Sequence, residues 1–218
     1  MRLASLVKNI LIENGFDPEP DLTVRSTWHE FTQNHWDVLA ACDFFTIELL
    51  VNTKLIRCTV FFVIELATTK VFFAPIKPQP DGPYMRQIVR LLTDSDSGFL
   101  SGKKNLIHDR DPLYRTEGFA EILQSSGVKP LKLQARSPDL NCYAERFVKS
   151  VKSECLDHLI LSFVQQFEYT LSQYKLYYHH ERIYQSLGRI IEPKHEIDDQ
   201  AEVQCIERLL KSYHRLAS

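Results

Sequence analysis

The 218 residues, of which 44% are hydrophobic, suffice for one good-sized domain with extensions and a real core. The net charge of −2 excludes a uniformly basic nucleic-acid binder, so a polyanion would have to meet a local patch of cationic side chains. Five scattered cysteines without a C-x-x-C pair argue against a disulfide framework or a zinc site and favour the reducing cytoplasm. There is no signal-peptide pattern, and the most apolar run, Cys58 to Ile64, is too short to cross a bilayer, so we expect a soluble protein without a membrane partner.

The N-terminal part of the chain predicts an arm separate from the main domain. Residues 2–14 carry a helical stripe of apolar side chains that ends at Gly15. Residues 16–34 contain two acid–proline steps and no sustained period, which indicates a linker. We therefore predict residues 1–27 as an N-terminal helix and linker, 28–160 as the core domain and 161–218 as a C-terminal helical extension.

The remaining elements predict a mixed α/β domain. Segments rich in Val, Ile, Phe and Thr predict a hairpin of strands over 37–51 and 55–66 and a third strand over 70–76. The segments that follow alternate between helix and strand: helix 81–92, strand 104–108, helix 116–124 and strand 128–133. Asn141 is a favourable N-cap for a helix reaching about residue 158, and helices over 163–179 and 199–216 complete the chain. This order predicts a five-stranded mixed sheet with flanking helices, an N-terminal helical arm and C-terminal helices, as in a ribonuclease H-like fold.

Three acidic residues occupy positions at which the predicted elements could bring them together. Asp43 lies within an apolar strand, Asp109 directly ends a strand, and Glu145 lies in the first turn of a helix. Three carboxylates at one point repel one another, and a divalent metal with a preference for oxygen ligands, Mg²⁺ or Mn²⁺, would neutralise them. Two such ions about 3.5–4 Å apart can flank a phosphodiester and stabilise both its attacking and its leaving oxygen.

Each acid also has an ordinary structural interpretation. Asp43 could face solvent on an edge strand, Asp109 could cap a turn, and Glu145 could be a surface residue of its helix. Asp111 competes with Asp109 for the second position. We favour Asp109 because it directly ends the strand, whereas Asp111 lies in the turn. The hypothesis therefore depends on the combination of acids and their order.

Basic residues near Glu145 are candidate contacts for DNA. Lys149 and Lys152 follow Glu145 by four and seven positions, so all three share one helical face. With Arg146 they could hold phosphates beside a metal-binding acid. An ordinary Glu–Lys helical pair is the alternative. The opposite face is predicted to belong to the core and comprises Phe147, Val148, Val151 and Cys155.

The acids and their surroundings resemble a known catalytic domain. Thirty-five residues separate Asp109 from Glu145. Together with Asp43 and Lys152, this order resembles the DDE integrase catalytic core of bacterial insertion-sequence transposases and retroviral-type integrases. Several strings are similar to those of the bacterial transposases: His108–Asp111, Asn141–Phe147, Tyr177–Arg182 and Gln185–Gly188. The resemblance covers roughly residues 28 to 193.

The resemblance implies a fold, a cofactor and a reaction. It implies a ribonuclease H-like fold in which Asp43, Asp109 and Glu145 hold two Mg²⁺ (or Mn²⁺) ions. It also implies DNA nicking at element ends and attack of a DNA 3′-hydroxyl on a target phosphodiester, without a covalent enzyme intermediate. Lys152 would contact DNA near the scissile phosphate. A homo-oligomer assembled on DNA, associated with the nucleoid, is expected of such a protein.

Two features depart from the family pattern. Relatives usually carry an N-terminal helix-turn-helix module, of which residues 2–14 could be a remnant; a separate helix-turn-helix polypeptide could then recognise the DNA ends. Where many relatives have an Arg-Pro-His string, this chain has Arg182-Ile183-Tyr184. The alternatives to a transposase are a metal-dependent nuclease of the same fold and a non-catalytic DNA-binding remnant of a transposase.

Overall fold

A computed structural model describes residues 30–133, 141–184, 189–192, 203–206 and 212–215. The chain divides into two units, residues 1–36 and 37–218. In the first unit, residues 30–34 are helical, and His35 Nδ1 lies 2.9 Å from the Phe31 carbonyl oxygen one turn earlier. The prediction that the linker extends to residue 34 is therefore wrong at its C-terminal end. The predicted helix over 2–14 lies outside the described residues.

The second unit is built on a five-stranded sheet with helices on both faces. Its strands are β1 (Leu39–Val51), β2 (Lys54–Glu65), β3 (Val71–Phe73), β4 (Asn105–His108) and β5 (Lys129–Lys132). Its helices are α1 (Gly82–Leu92), α2 (Phe119–Ser125), α3 (Cys142–Glu154) and α4 (Val164–His180). The strand order is β3-β2-β1-β4-β5, which places β1 at the centre. The sequence-based prediction of these nine elements is confirmed, with shifts of a few residues at their ends.

The β1–β2 hairpin sets the register of the sheet. Asn52 and Thr53 form its two-residue turn with φ values of 47° and 64°. Positive φ at both turn positions matches the right-handed twist of the flanking strands, and asparagine tolerates it well. The two strands then pair without interruption from Val51↔Lys54 to Ala40↔Glu65.

The parallel strands β1, β4 and β5 bring distant residues to one edge of the sheet. β1 pairs with β4 up to Ala41↔Ile107, and β4 pairs with β5 up to His108↔Lys132. Asp43 and Asp109 each lie two residues beyond the last β1–β4 pair. Because parallel strands point the same way, the C-terminal ends of β4 and β5 meet at the same edge. The backbone thus directs Asp109 to the level of Asp43.

Two apolar layers cover the sheet. On one face, Cys42 and Phe61 are fully buried against α1 and α2. On the other, Phe147 of α3 contacts Phe62 with ring centroids 5.0 Å apart and Tyr178 of α4 at 5.2 Å. Burying an aromatic side chain of this size contributes roughly 2–3 kcal/mol, so Phe147 fixes α3 on the sheet. The predicted core face of α3 is confirmed: Phe147, Val151 and Cys155 are buried and Val148 is half-buried.

The last turn of α4 is fixed to the outer strand β3. The backbone N–H of Val71 donates to Nε2 of the buried His179 over 2.9 Å. Glu192 lies beside it, paired with Lys70 and 4.0 Å from His179 Nδ1. Burial lowers the pKa of His179 to about 4, although the Glu192 carboxylate opposes that shift. A neutral imidazole that accepts a backbone hydrogen bond therefore joins the end of α4 to β3.

The C-terminal part departs from the prediction. The described residues there form two short antiparallel pairs, β6 (Ile183–Tyr184) with β7 (Arg189–Ile190) and β8 (Val203–Ile206) with β9 (Ser212–Arg215). The predicted helix over 199–216 is therefore wrong, and the predicted C-terminal helices reduce to α4. In β8, Val203 and Cys205 alternate with Gln204, a period of two that favours a strand over a helix. The division at residue 160 into core and extension stays a prediction.

Within the part of the chain that the structure describes, no helix has the length and apolar character needed to span a membrane.

Candidate active site

Asp43 lies at the centre of the sheet, on the face covered by α3. Side chains alternate along a strand, and its neighbours Cys42 and Phe44 pack into the layer beneath α1 and α2. Asp43 therefore shares the opposite face with Phe45. Its carboxylate is half-buried, and Oδ1 accepts a hydrogen bond from the backbone N–H of Phe44 over 2.7 Å. Since β1 is flanked by two strands, the alternative that Asp43 faces solvent on an edge strand is wrong.

Asp109 directly follows β4, as the sequence predicts. Its Oδ1 accepts the backbone N–H of Asp111 over 3.0 Å, so the residue also stabilises the turn. Asp111 makes a different contact, with the element that follows it. Its Oδ1 accepts the N–H of Leu113 over 2.8 Å and caps the 3-10 turn Pro112–Arg115. Asp109 is therefore the acid at the strand end, and Asp111 is the cap of the next element.

Glu145 projects from the first turn of α3 and is exposed. Its buried neighbours Ala144 and Phe147 hold the helix on the sheet. An acidic side chain in the first turn of a helix interacts favourably with the positive end of the helix dipole. The predicted N-cap, Asn141, precedes the helix but makes no capping bond with its side chain, and its buried Oδ1 has no hydrogen-bond partner among the described residues.

Electrostatics link the three acids. The pKa of Asp43 rises from 3.8 to about 6, mainly because burial disfavours the charged form. The hydrogen bond from Phe44 N–H opposes that rise, whereas the charges of Asp109, Glu145 and Asp111 add to it, in that order. Asp109 and Glu145 are therefore near enough to act on Asp43, and both act more strongly than Asp111. As placed, no three His, Cys, Asp or Glu side chains among the described residues form a ready metal-binding set.

The candidate DNA contacts lie along α3. Arg146 and Lys149 are exposed and Lys152 is half-buried. The Arg146 guanidinium lies over the Tyr143 ring, 5.9 Å from its centroid. None of the ion pairs among the described residues joins Glu145 to Lys149. The alternative of an ordinary Glu–Lys helical pair is thus not realised, and both side chains are available to other charges.

The far end of α3 is anchored by a charged network. Glu154 accepts three hydrogen bonds from Arg182: Nε donates to Oε1 at 3.1 Å and to Oε2 at 3.0 Å, and a terminal nitrogen donates to Oε1 at 2.7 Å. The Tyr174 hydroxyl of α4 donates to the same carboxylate over 3.0 Å. Such forked pairs fix the orientation of the guanidinium relative to the carboxylate as well as the distance between them. Arg182, in the string where this chain departs from the family pattern, thus joins α3 to the end of α4.

A cavity of about 190 Å³ opens beside Asp109. Its lining includes three basic residues that the sequence analysis did not single out: Arg110, Arg115 and Lys132. Arg110 and Arg115 both follow Asp109 closely in the sequence, which was an available signal. Lys132 could be connected with Asp109 only through the register of β4 and β5, which the sequence alone does not give.

Comparisons with known proteins found a family model and a relative that match parts of this chain. Residues 126–191 match the family model of the integrase core domain. An uncharacterized transposase-like protein of Haemophilus influenzae is 29% identical over 130 residues, which are 55% of this chain and 60% of the relative.

Solved structures show the same fold at low sequence identity. A chain of the simian T-cell lymphotropic virus intasome matches 79% of this chain and 60% of its own length, with a TM-score of 0.54 and 14% identity. The HTLV-2 integrase catalytic core domain in complex with magnesium matches 71% and 93%, with a TM-score of 0.50 and 12% identity. The fold is that of the ribonuclease H-like integrase cores, and the predicted fold class is confirmed. The chain is therefore similar in sequence to the integrase core domain over residues 126–191 and similar in fold to the HTLV-2 integrase core.

Proposed function

We propose that this chain is a metal-dependent polynucleotidyl transferase that nicks DNA and joins a DNA 3′-hydroxyl to a target phosphodiester. Asp43, Asp109 and Glu145 are its catalytic carboxylates. The observation that carries the proposal is geometric: the β1–β4 register brings Asp109 to the level of Asp43, and Glu145 lies in the first turn of the helix that covers the face of Asp43. The charges of both other acids also raise the pKa of Asp43, in addition to the larger effect of burial. Three acids from a central strand, a strand end and a helix start thus act on one another at one edge of the sheet.

Mg²⁺, or Mn²⁺ in its place, fits these residues. Carboxylate oxygens are the hard ligands that both ions prefer, and a cation would compensate the repulsion that now opposes ionisation of Asp43. The HTLV-2 core of similar fold is in complex with magnesium. We assign Asp43, Asp109 and Glu145 as ligands of two ions. When bound, the ions would stabilise charge on the attacking and leaving oxygens of the phosphodiester.

The other residues of the site position the DNA. Lys149 and Lys152 share the helical face of Glu145 and would bind phosphates next to the metal ligands, with Arg146 on the adjoining side. Phe147 and Glu154 would keep α3, and with it Glu145, at a fixed place on the sheet. The HTLV-2 core is known in dimeric and trimeric forms, and we propose a homo-oligomer on DNA, associated with the nucleoid. A separate helix-turn-helix polypeptide would supply recognition of the DNA ends.

The test is Mg²⁺- or Mn²⁺-dependent nicking of a supercoiled plasmid by wild type, Asp109→Asn and Asp111→Asn. Both substitutions replace a carboxylate by an isosteric amide that can still accept its backbone hydrogen bond. We expect Asp109→Asn to lose about a hundredfold or more in rate, because metal-assisted charge stabilisation is worth several kcal/mol. Asp111→Asn should keep most of the activity. Metal-dependent cutting that survives Asp109→Asn would remove the site as assigned.

A second assay separates the alternatives. A labelled oligonucleotide with a free 3′-hydroxyl becomes joined to plasmid if the chain is a transposase or integrase. Nicking without joining identifies a nuclease of the same fold. A chain that shifts DNA on a gel but neither nicks nor joins it is the non-catalytic remnant.

A further inference from the structure

The cavity beside Asp109 is formed by the C-terminal ends of two parallel strands and the turn that follows β4. Tyr114, Phe119, Ala120 and Pro130 form its apolar walls. Tyr114 and Phe119 are almost fully buried and belong to the core, which makes this side of the cavity rigid. A volume of about 190 Å³ admits a phosphate group and part of the attached sugar, but not a whole base pair.

Three cations surround this apolar floor. Arg115 ends the 3-10 turn and is exposed, and Lys132 is exposed at the last position of β5. Neither forms an ion pair with a described carboxylate. Arg110 donates from Nε to the Leu133 carbonyl over 3.1 Å, which fixes the direction of its guanidinium.

The two acids in the same lining do not neutralise these cations by contact. Asp109 Oδ1 is bonded to the N–H of Asp111, and Asp111 Oδ1 to the N–H of Leu113. One oxygen of each carboxylate is therefore already used as the acceptor of a backbone hydrogen bond. The register His108↔Lys132 places Lys132 one residue from the level of Asp109. The cavity is thus a cationic site directly adjoining the carboxylates.

We propose that this cavity binds one backbone phosphate of a DNA strand, next to the phosphodiester that is cleaved at the carboxylates. The inference rests on the proposed function and names a further part of its substrate site. Lys149 and Lys152 of α3 hold phosphates beside Glu145, and Arg115 and Lys132 hold one beside Asp109. The apolar floor accommodates the sugar attached to the bound phosphate.

The experiment measures the salt dependence of binding to a fluorescein-labelled DNA duplex by anisotropy, in chelator and without divalent metal. The variant is Arg115→Gln/Lys132→Gln. We expect its log–log salt slope to be smaller by about 0.9 than that of wild type, which is the value for one phosphate contact. At about 0.1 M salt the same contact corresponds to a loss of affinity of about eightfold.

Two further variants control the measurement. Arg90→Gln/Lys129→Gln makes the same charge change at exposed residues that do not line the cavity, with Lys129 at the opposite end of the same strand. This variant should keep the wild-type slope. Arg115→Lys/Lys132→Arg keeps both charges and should restore the slope lost in the glutamine variant. Unchanged melting temperatures establish that all of these exposed substitutions leave the fold intact.

The outcomes separate this inference from the proposed function. If the cavity variant and its control have equal slopes while the wild type nicks DNA, the cavity assignment is overturned and the proposed function stands. If the slope falls as expected but no metal-dependent nicking is found, the phosphate site stands and the enzyme assignment fails. A wild-type chain without affinity for DNA overturns the cavity assignment.

Discussion

Replacing Asp43 by asparagine should stabilise the metal-free protein while abolishing its proposed activity. The half-buried carboxylate lies where Asp109 and Glu145 oppose its ionisation. Asparagine has the same shape, and its Oδ1 can still accept the Phe44 N–H that Asp43 now accepts over 2.7 Å. The substitution therefore removes the charge and keeps the packing. A site arranged for a cation is a site of electrostatic stress when the cation is absent.

The size of the stabilisation expected for Asp43→Asn follows from the raised pKa of Asp43. A rise from 3.8 to about 6 corresponds to about 3 kcal/mol of destabilisation of the ionised form at neutral pH. Because the side chain is partly exposed to water, screening reduces this to about 1–2 kcal/mol. Because the pKa of Asp43 is raised in the folded state, its carboxyl does not destabilise the fold at a pH below the unfolded pKa. The destabilisation develops as the pH rises through about 6, so at neutral pH the folded protein holds the unfavourable ionised form. Asp43→Asn should then raise the melting temperature by about 2–8 °C.

Thermal unfolding in chelator near neutral pH measures this gain. Asp96→Asn is the matched control: Asp96 is exposed, and an amide can keep its hydrogen bond from Ser95. It should change stability by less than about 0.5 kcal/mol. Added Mg²⁺ should raise the melting temperature of wild type and leave that of Asp43→Asn unchanged, since only a native state that binds the ion gains from it. A melting temperature of Asp43→Asn at or below the wild-type value in chelator would refute the reasoning.

Three more predictions concern the frame around the site. Glu154→Gln should lower the stability by about 2 kcal/mol and the melting temperature by about 4–8 °C, because Arg182 loses its forked, half-buried partner; Glu48→Gln, which breaks an exposed pair, should change little. The pKa of His179 is lowered in the folded state, so its contribution to stability is present above the unfolded pKa and is lost as the pH falls towards about 4. Through His179, the free energy of unfolding of wild type should therefore fall by about 2 kcal/mol between about pH 7 and pH 5. Urea titrations of His179→Gln at both pH values should show a smaller fall, and equal falls would contradict the prediction. Gly98→Ala should destabilise the chain by about 2–3 kcal/mol, because an added Cβ would clash with the backbone of residue 94; chemical denaturation measures this, and a cost below about 0.5 kcal/mol would contradict it.

Local signals sufficed for the elements and for the positions of the acids. The hairpin depends on two adjacent residues, Asn52 and Thr53, whose backbone preferences are readable in isolation. The end of β4 at His108 and the start of α3 at Cys142 likewise follow from short patterns. Because the acids lie at element ends or within a strand, correct element boundaries were enough to place them.

What the sequence could not give depends on long-range register or on competing local preferences. Lys132 neighbours Asp109 only because β5 pairs with β4 in one register and not another. Asn141 has the composition of an N-cap, yet its side chain makes no capping bond, so propensity predicted the helix start and not the contact. At the C-terminus, a stripe compatible with a helix also contains the apolar residues Val203 and Cys205 at strand spacing, and the segment 203–206 pairs as a strand.

The distribution of charge explains how a chain with a net charge of −2 can act on a polyanion. Two of the acids have basic residues near them: Glu145 shares its helical face with Lys149 and Lys152, and Asp109 lines the cavity with Arg115 and Lys132. Divalent cations would cancel the charge of the acids and leave both basic groups to face the phosphates. In this proposal the same edge binds DNA through its basic residues when the metal is absent and more tightly when the metal is present, although the rest of the chain remains close to neutral. In this proposal, strand register and helix placement set the local arrangement of charges, and this arrangement, not the net charge, decides whether DNA binds.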